Sequence, residues 1–255
     1  LGPVVGTAVY GCFGIDALCE TAALTFAMSA LLFGGALKQN ASSGMTGDST
    51  TCSTCRSDFR ESIRYLFQNA SLLVVFLLAA ILNLALVGLT IGAPVIVAKH
   101  LGMQSSFVGI IEVAMGLGGL VGSGLVGIWP HRFSFKGICR YVAMICFGVV
   151  PIIVTLLSGP DEFAFTALAA GSAWVMAWAS IASVEIVSFV QRSAPKELCG
   201  KVLALVYMML SCATPIGQLV YGLAYDRWTP AIVFAGMFAV LTLTTALFYR
   251  LKSRL

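Results

Sequence analysis

Charge is what this sequence has least of. Of its 255 residues only 10% are Asp, Glu, Lys or Arg, while 59% are hydrophobic; a water-soluble domain carries roughly 25% charge. A soluble fold could not cover that much apolar surface, so lipid is the medium these residues suit. Histidine is scarcer still, with His100 and His131 alone. They fall in different connections between apolar runs, so the convergent groups of a metal or acid–base site are lacking, and an integral-membrane enzyme is a weak alternative. No Gly-x-x-x-x-Gly-Lys loop is present to hold ATP. One G-x-G-x-x-G match, Gly122 to Gly127, lies inside an apolar helix with no strand before it, which excludes a dinucleotide site. Of the eight cysteines, Cys52 and Cys55 form a C-x-x-C, but no second pair stands at zinc spacing. Neither a metal nor any other cofactor is expected. The basic residues are scattered rather than gathered on one face, which argues against nucleic acid as a partner.

What the chain has instead is long apolar runs. Residues 71–127 hold two of them, broken only by a turn around Lys99, His100 and Gly102. Each is long enough for the roughly 30 Å of a bilayer core at 1.5 Å per residue. The pair reads as a transmembrane helical hairpin, and the rest of the chain repeats it. Spans are expected at Ser71–Ala98, Ser105–Ile128, Gly137–Leu157, Phe163–Val190, Gly200–Ala224 and Ala231–Tyr249, with one more at Ile15–Leu37. The opening LGPVVGTAVYGCFG is apolar from Leu1. It reads as the later half of a span, and the chain as the C-terminal part of a longer membrane protein.

A polar break divides these runs. Residues 38–69 begin as a Ser/Thr/Gly linker, too poor in apolar side chains to order itself. Its end, SDFRESIRYLF, spaces Phe59, Ile63 and Phe67 by four with Arg60 and Arg64 beside them, the pattern of a short amphipathic helix on a membrane surface. The expected division is therefore 1–37, a remnant of an N-terminal bundle; 38–69, a linker; and 70–255, a six-helix bundle.

Charge placement orients the whole. With the linker inside, all the Lys and Arg residues fall on the inner side except Lys99 and Arg227, while Asp161, Glu162 and Asp226 fall outside. That bias puts the linker and the C-terminus in the cytoplasm of a cell (plasma or inner) membrane. The glycosylation sequons at Asn40 and Asn69 then lie on the wrong side to be used.

A short repeat carries the argument further. Gly6–Gly11 reads GTAVYG and Gly217–Gly222 reads GQLVYG, each with a proline just upstream, Pro3 and Pro215. They lie six spans apart, the offset of two six-helix bundles related as parallel repeats. Three motifs point the same way. Gly2-Pro3-Val4-Val5-Gly6 resembles the G-P-x-x-G motif in span five of major facilitator superfamily exporters, with Thr7 where that pattern has a second glycine. Phe189 to Leu205, FVQRSAPKELCGKVLAL, is similar to their inner loop between spans ten and eleven, of the form Q-x-x-x-P-x-x-x-x-G-[RK]-V, and resembles the branch exporting macrolides, siderophores and other drugs. WPHRFSFKG stands at the family's G-x-x-x-D-R-x-G-R-[RK] loop, keeping Arg132 and Lys136 but not the acidic and glycine positions. The resemblance covers the chain from span five to span twelve. It implies an all-α membrane protein of the major facilitator type, here half of span five, span six and the C-terminal six-helix bundle. It further implies proton-coupled efflux of a small molecule by alternating access, with the missing N-terminal bundle of the same protein as partner. It assigns gating and motif roles to Gly2, Pro3, Gly6, Arg192, Pro195, Gly200 and Lys201. A receptor or scaffold that keeps the fold without moving anything is the alternative.

Ionisable groups inside spans are costly, roughly 2.5–3.5 kcal/mol near the centre, so each calls for a role. Glu112, in the outer half of its helix, is a candidate proton carrier or substrate contact, or a carboxyl hydrogen-bonded between helices. Asp16 and Glu20, four apart on one face, are candidates for proton coupling or solvated mouth charges. Glu185, a turn or two from Gln191 and Arg192, is a gating contact or a partner for the basic inner loop. Asn83, near mid-span, leads the candidates for substrate binding, with interhelical hydrogen bonding as the plainer role. Gln218 could add a polar handle, and Trp174 and Trp178, four apart, two flat faces. Pro94, Pro151 and Pro215 mark kinks, and the row Gly116, Gly118, Gly119, Gly122, Gly124, Gly127 has small-x-x-x-small spacing for close helix approach.

Overall fold

The computed structural model describes residues 14, 16, 19–33, 60, 63–104, 106–158, 162–195 and 198–252. Gly2, Pro3, Gly6 and most of the linker lie outside the described residues. The chain divides into two compact units, Leu1–Ser57 and Asp58–Leu255. In the first, Cys19–Phe33 forms an apolar helix with Leu24, Phe26, Leu31 and Phe33 all exposed. Asp16 and Glu20 are exposed too.

Among its described residues the second unit holds six long helices: α1 (Ala70–Val95), α2 (Ser106–Ile128), α3 (Ile138–Ser158), α4 (Glu162–Ser193), α5 (Cys199–Arg227) and α6 (Pro230–Lys252). All six are long and apolar enough to cross a membrane, and among the described residues there is no strand. That is what hydrocarbon demands. Without water to bond exposed N–H and C=O groups, the chain must satisfy them within each helix. The helices coincide with the six spans expected from the runs between residues 70 and 252, to within three residues at either end. This is an all-α bundle of the major facilitator type.

α4 lies at the centre of the packing, with α2 along one side and α3 along another; α1 pairs with α5, and α6 covers α1 and α3. The core is aliphatic, with Leu89, Ile96, Ile145, Ile152, Leu168, Ile181 and Leu241 essentially sealed. Glycine sets the closest approach. A β-carbon at Gly118 or Gly122 would overlap the backbone carbonyl of Ala173 or Ala177 in α4, so only glycine lets α2 and α4 sit this near. Gly116, Gly124 and Gly127 meet nothing; they lie on the opposite, exposed face.

Pro94, Pro151 and Pro215 each sit inside a helix. Pro94 has no N–H for the Thr90 carbonyl, and the helix loosens beyond it. It runs on as a π-helix, Ile96–His100, with Leu101 N bonding Ile96 O at 2.9 Å. Gly102 then takes φ +63°, a turn that favours glycine.

The end of the bundle next to residue 70 is closed by a short helical stretch, 63–68. It buries Leu66 against Leu72, Phe76, Val202 and Leu205, with Ile63 beside them; Phe67 stays exposed. The Tyr65 hydroxyl reaches the Ser193 carbonyl at 3.4 Å. At that same end the α2–α3 loop is tied down by aromatics. Phe135 stacks on Phe189 at 4.1 Å and meets Phe248 edge-on. Tyr141, fully buried, accepts from Ser134 N at 2.9 Å and donates to Ser134 O at 3.1 Å.

Candidate functional site

Four helices leave a cavity of about 90 Å³ between them. Its floor is apolar, with Ala79 and Leu82 from α1, Ile145 from α3, Ile186 from α4 and Val206 from α5, all buried. Its mouth is polar: Ser183 and Tyr207 are exposed there, and Asn83 stands half-buried between floor and mouth. No ionisable side chain other than the Tyr207 phenol lines it among the described residues.

Asn83 is held by α5. Its Nδ2 donates to the Leu210 carbonyl at 3.0 Å and to Thr214 Oγ1 at 3.3 Å, while Thr214 Oγ1 itself donates to Leu210 O at 3.2 Å. The amide orientation follows from chemistry alone, because a carbonyl oxygen turned toward Leu210 O would face another acceptor. These bonds gather just before Pro215, which lacks the N–H that would bond the Ser211 carbonyl.

The other candidates lie apart from this cavity. Trp174 donates Nε1–H to the Met144 carbonyl at 2.9 Å and packs on Phe147; Trp178, 6.0 Å from it, stacks on Tyr141. The pair therefore faces α3, and neither residue lines the cavity. Gln218 is exposed on α5, one turn beyond Thr214. Glu112 is half-buried on α2, a helix that contributes nothing to the lining. Glu185 is buried on α4, with Oε2 3.9 Å from Arg192 Nη2. Pro195 starts the turn into α5, its carbonyl accepting from Leu198 N and Cys199 N at 3.0 and 2.8 Å. Gly200 is exposed and Lys201 half-buried.

What kind of membrane bundle this is follows from the family comparison. The transmembrane secretion effector model (MFS_3) matches residues 1–255. The chain belongs to that family of major facilitator proteins. No curated protein and no solved structure matches the chain significantly. As a secretion effector it is a multi-pass membrane transporter, and this membership points away from catalysis.

Sequence reasoning passed over three residues of this transporter: Ser183 and Tyr207, which line the cavity, and Thr214, which holds Asn83 beside it. The signal for two of them was present. Tyr207, Leu210 and Thr214 follow one another by three and four on α5, so they share the helix face that meets Asn83. The further polar links to α5, Tyr225 to Gly88 of α1 and Asp226 to Lys99 of the π-helix beyond it at 3.3 Å, continue that contact to the far end of the bundle.

Proposed function

We propose that this chain serves proton-coupled efflux of a small drug-like or siderophore-like molecule by alternating access. The observation that supports it most is the cavity around Asn83, an apolar floor with a polar mouth inside a membrane bundle of a secretion-effector chain. In this reading residues 70–255 form the C-terminal bundle, 38–69 a cytoplasmic linker and 1–37 a remnant of the N-terminal bundle of the same protein. Asn83 contacts substrate at the cavity. Gln218, Trp174 and Trp178 serve later or peripheral contacts along the path, since they stand outside it. Glu112, half-buried and reachable from solvent, carries the proton, with Asp16 and Glu20 as further coupling groups. Glu185 and Arg192 open and close the cytoplasmic side, next to the turn at Pro195, Gly200 and Lys201. The membrane is the cell membrane, with the C-terminus inside, on the strength of the charge bias.

The energy is sufficient. One proton entering per molecule expelled gains about 2.3 kcal/mol per 100 mV, a gradient of nearly fiftyfold. The test is flux in proteoliposomes of the full-length protein, across a panel of drug-like and siderophore-like compounds. Flux should collapse on adding a protonophore. Flux that survives the protonophore and requires ATP would overturn the reading.

A further inference from the structure

A second recess, of about 160 Å³, runs between α1 and α6. Leu78 and Phe248 are its buried floor, Leu77 and Leu247 its exposed rims. It follows α1 from Val74 to Ile81, about 10 Å by the helical rise. The Phe248 ring is braced edge-on by Phe135, with centroids 6.1 Å apart. The one hydroxyl of the lining, Thr244 Oγ1, already donates to the Val240 carbonyl at 2.7 Å. Such a surface takes an apolar guest, and an apolar recess of about 150 Å³ holds one the size of benzene. A short stretch of an acyl chain is of that size. A helix, 10–12 Å across, is too wide to enter.

The groove looks away from the cavity. Ile81 lines the one and Asn83 the other, and two residues at 3.6 per turn stand about 160° apart around α1. A second bundle set across the polar mouth of the cavity therefore leaves the groove to the membrane. One end of the groove is cationic. Arg250 is exposed, three residues beyond Leu247 and on the same side of α6, and Lys252 ends that helix. Arg64, also exposed, lies in the stretch before α1, whose Leu66 turns to Val202 and Leu205 of α5 and not to the groove. A guanidinium has five N–H donors, so Arg250 can hold a phosphate beside its other contacts.

We propose that this groove seats one acyl chain of an anionic phospholipid, with the phosphate at Arg250. The chain fills the recess over Leu78 and Phe248, and the basic end of α6 selects the headgroup. A zwitterionic lipid offers the same chain, but its phosphate carries its own ammonium and gains less from the arginine. The site depends on the membrane bundle alone, and not on what the protein transports.

The test uses the full-length protein in a neutral detergent, with native mass spectrometry counting the lipid retained. Phosphatidylglycerol should be held about fivefold more strongly than phosphatidylcholine of the same chains, the scale of one basic residue at a membrane surface. Glycerol phosphate, which has the phosphate and no chain, should not displace it. Arg250→Gln should bring phosphatidylglycerol down to the phosphatidylcholine level and leave phosphatidylcholine unchanged. Thr244→Phe, which fills the groove, should weaken both alike. If either variant misfolds, phosphatidylglycerol with a diazirine in its chain decides the matter on the unaltered protein. Its adducts should gather on Leu77, Leu78, Leu247 and Phe248 and be competed away by phosphatidylglycerol. Equal retention of the two lipids, displacement by glycerol phosphate, or adducts spread evenly over α2, α3 and α5 overturns the proposal. So does an unlabelled groove in a protein that runs as a dimer, which gives this face to a second copy.

Discussion

Tyr225 donates its hydroxyl to the carbonyl of Gly88 at 3.0 Å, across the contact between α1 and α5. The ring is almost fully buried, and glycine makes room for it. A β-carbon at Gly92 would overlap the Tyr225 hydroxyl, and one at Gly88 would come to 2.6 Å from the Tyr221 ring. Two changes here should differ in size. Tyr225→Phe removes one hydrogen bond within the membrane, about 0.6 kcal/mol and at most about 1.7. Gly92→Ala forces a packed ring aside and should cost more, about 1–3 kcal/mol. Thermal unfolding in detergent should rank them in that order; a larger loss for Tyr225→Phe would mean the ring, not the glycine, yields.

The helices of this bundle were legible in the sequence for a simple reason. A span must be long, apolar and internally bonded, and its ends carry the charges, so the runs ending at Ile128, Leu157 and Ala224 could be read without knowing any neighbour, each to within three residues of its helix end. Contacts were not legible in the same way. The spacing of Trp174 and Trp178 correctly put them on one face, yet nothing in a single chain says that this face meets α3 and that the Trp174 N–H goes to Met144. The glycine row shows the same limit. Spacing proposed six residues for close approach, and only Gly118 and Gly122 receive a backbone, because which face turns to α4 is set by packing. The amphipathic reading of residues 59–67 likewise aligned Phe67 with Ile63, whereas the stretch buries Leu66. Asn83 was visible as the polar group in mid-span, and Tyr207, Leu210 and Thr214 as one face of α5; that this face meets Asn83 was not.

The two glycine faces of α2 yield a clean contrast. Gly118→Ala and Gly122→Ala would each press a methyl group into an α4 carbonyl, and backbone cannot step aside as a flexible side chain does. Each should destabilise the protein by roughly 2–4 kcal/mol, in the upper range for single substitutions. Gly116→Ala, Gly124→Ala and Gly127→Ala meet open space and should be neutral or slightly stabilising in the bundle, as alanine is the better helix former by about 1 kcal/mol. Expression level and melting temperature of the five variants check this; equal losses on both faces would contradict the α2–α4 contact.

Membrane sidedness can be read chemically. His131 lies in the exposed α2–α3 loop and Thr229 in the exposed α5–α6 loop, which helix alternation puts on opposite sides. In a background freed of native cysteines, a membrane-impermeant maleimide applied to whole cells should label Thr229→Cys and leave His131→Cys unlabelled until the membrane is opened. The charge bias demands this order. The reverse order would invert the orientation, and labelling of both in intact cells would remove one span.

Glu185 and Arg192 are a mismatched pair, and that mismatch is what makes them testable. The carboxylate is 6% exposed and the guanidinium 70%. At 3.9 Å they attract without a hydrogen bond; among the described residues Glu185 Oε2 has no hydrogen-bond partner, while Arg192 Nε is engaged with the Ser188 carbonyl at 3.1 Å. The buried partner bears the desolvation and the exposed partner returns little, since solvent screens it to about 0–1 kcal/mol. Glu185→Gln therefore should not lower the melting temperature and is expected to raise it. Arg192→Gln should cost less than about 1 kcal/mol. If the pair opens and closes the cytoplasmic side, Glu185→Gln should keep the fold and lose most of the protonophore-sensitive flux. A variant that melts lower than the parent would show that the carboxylate is a structural anchor. One that melts higher and transports normally would leave the pair no part in gating.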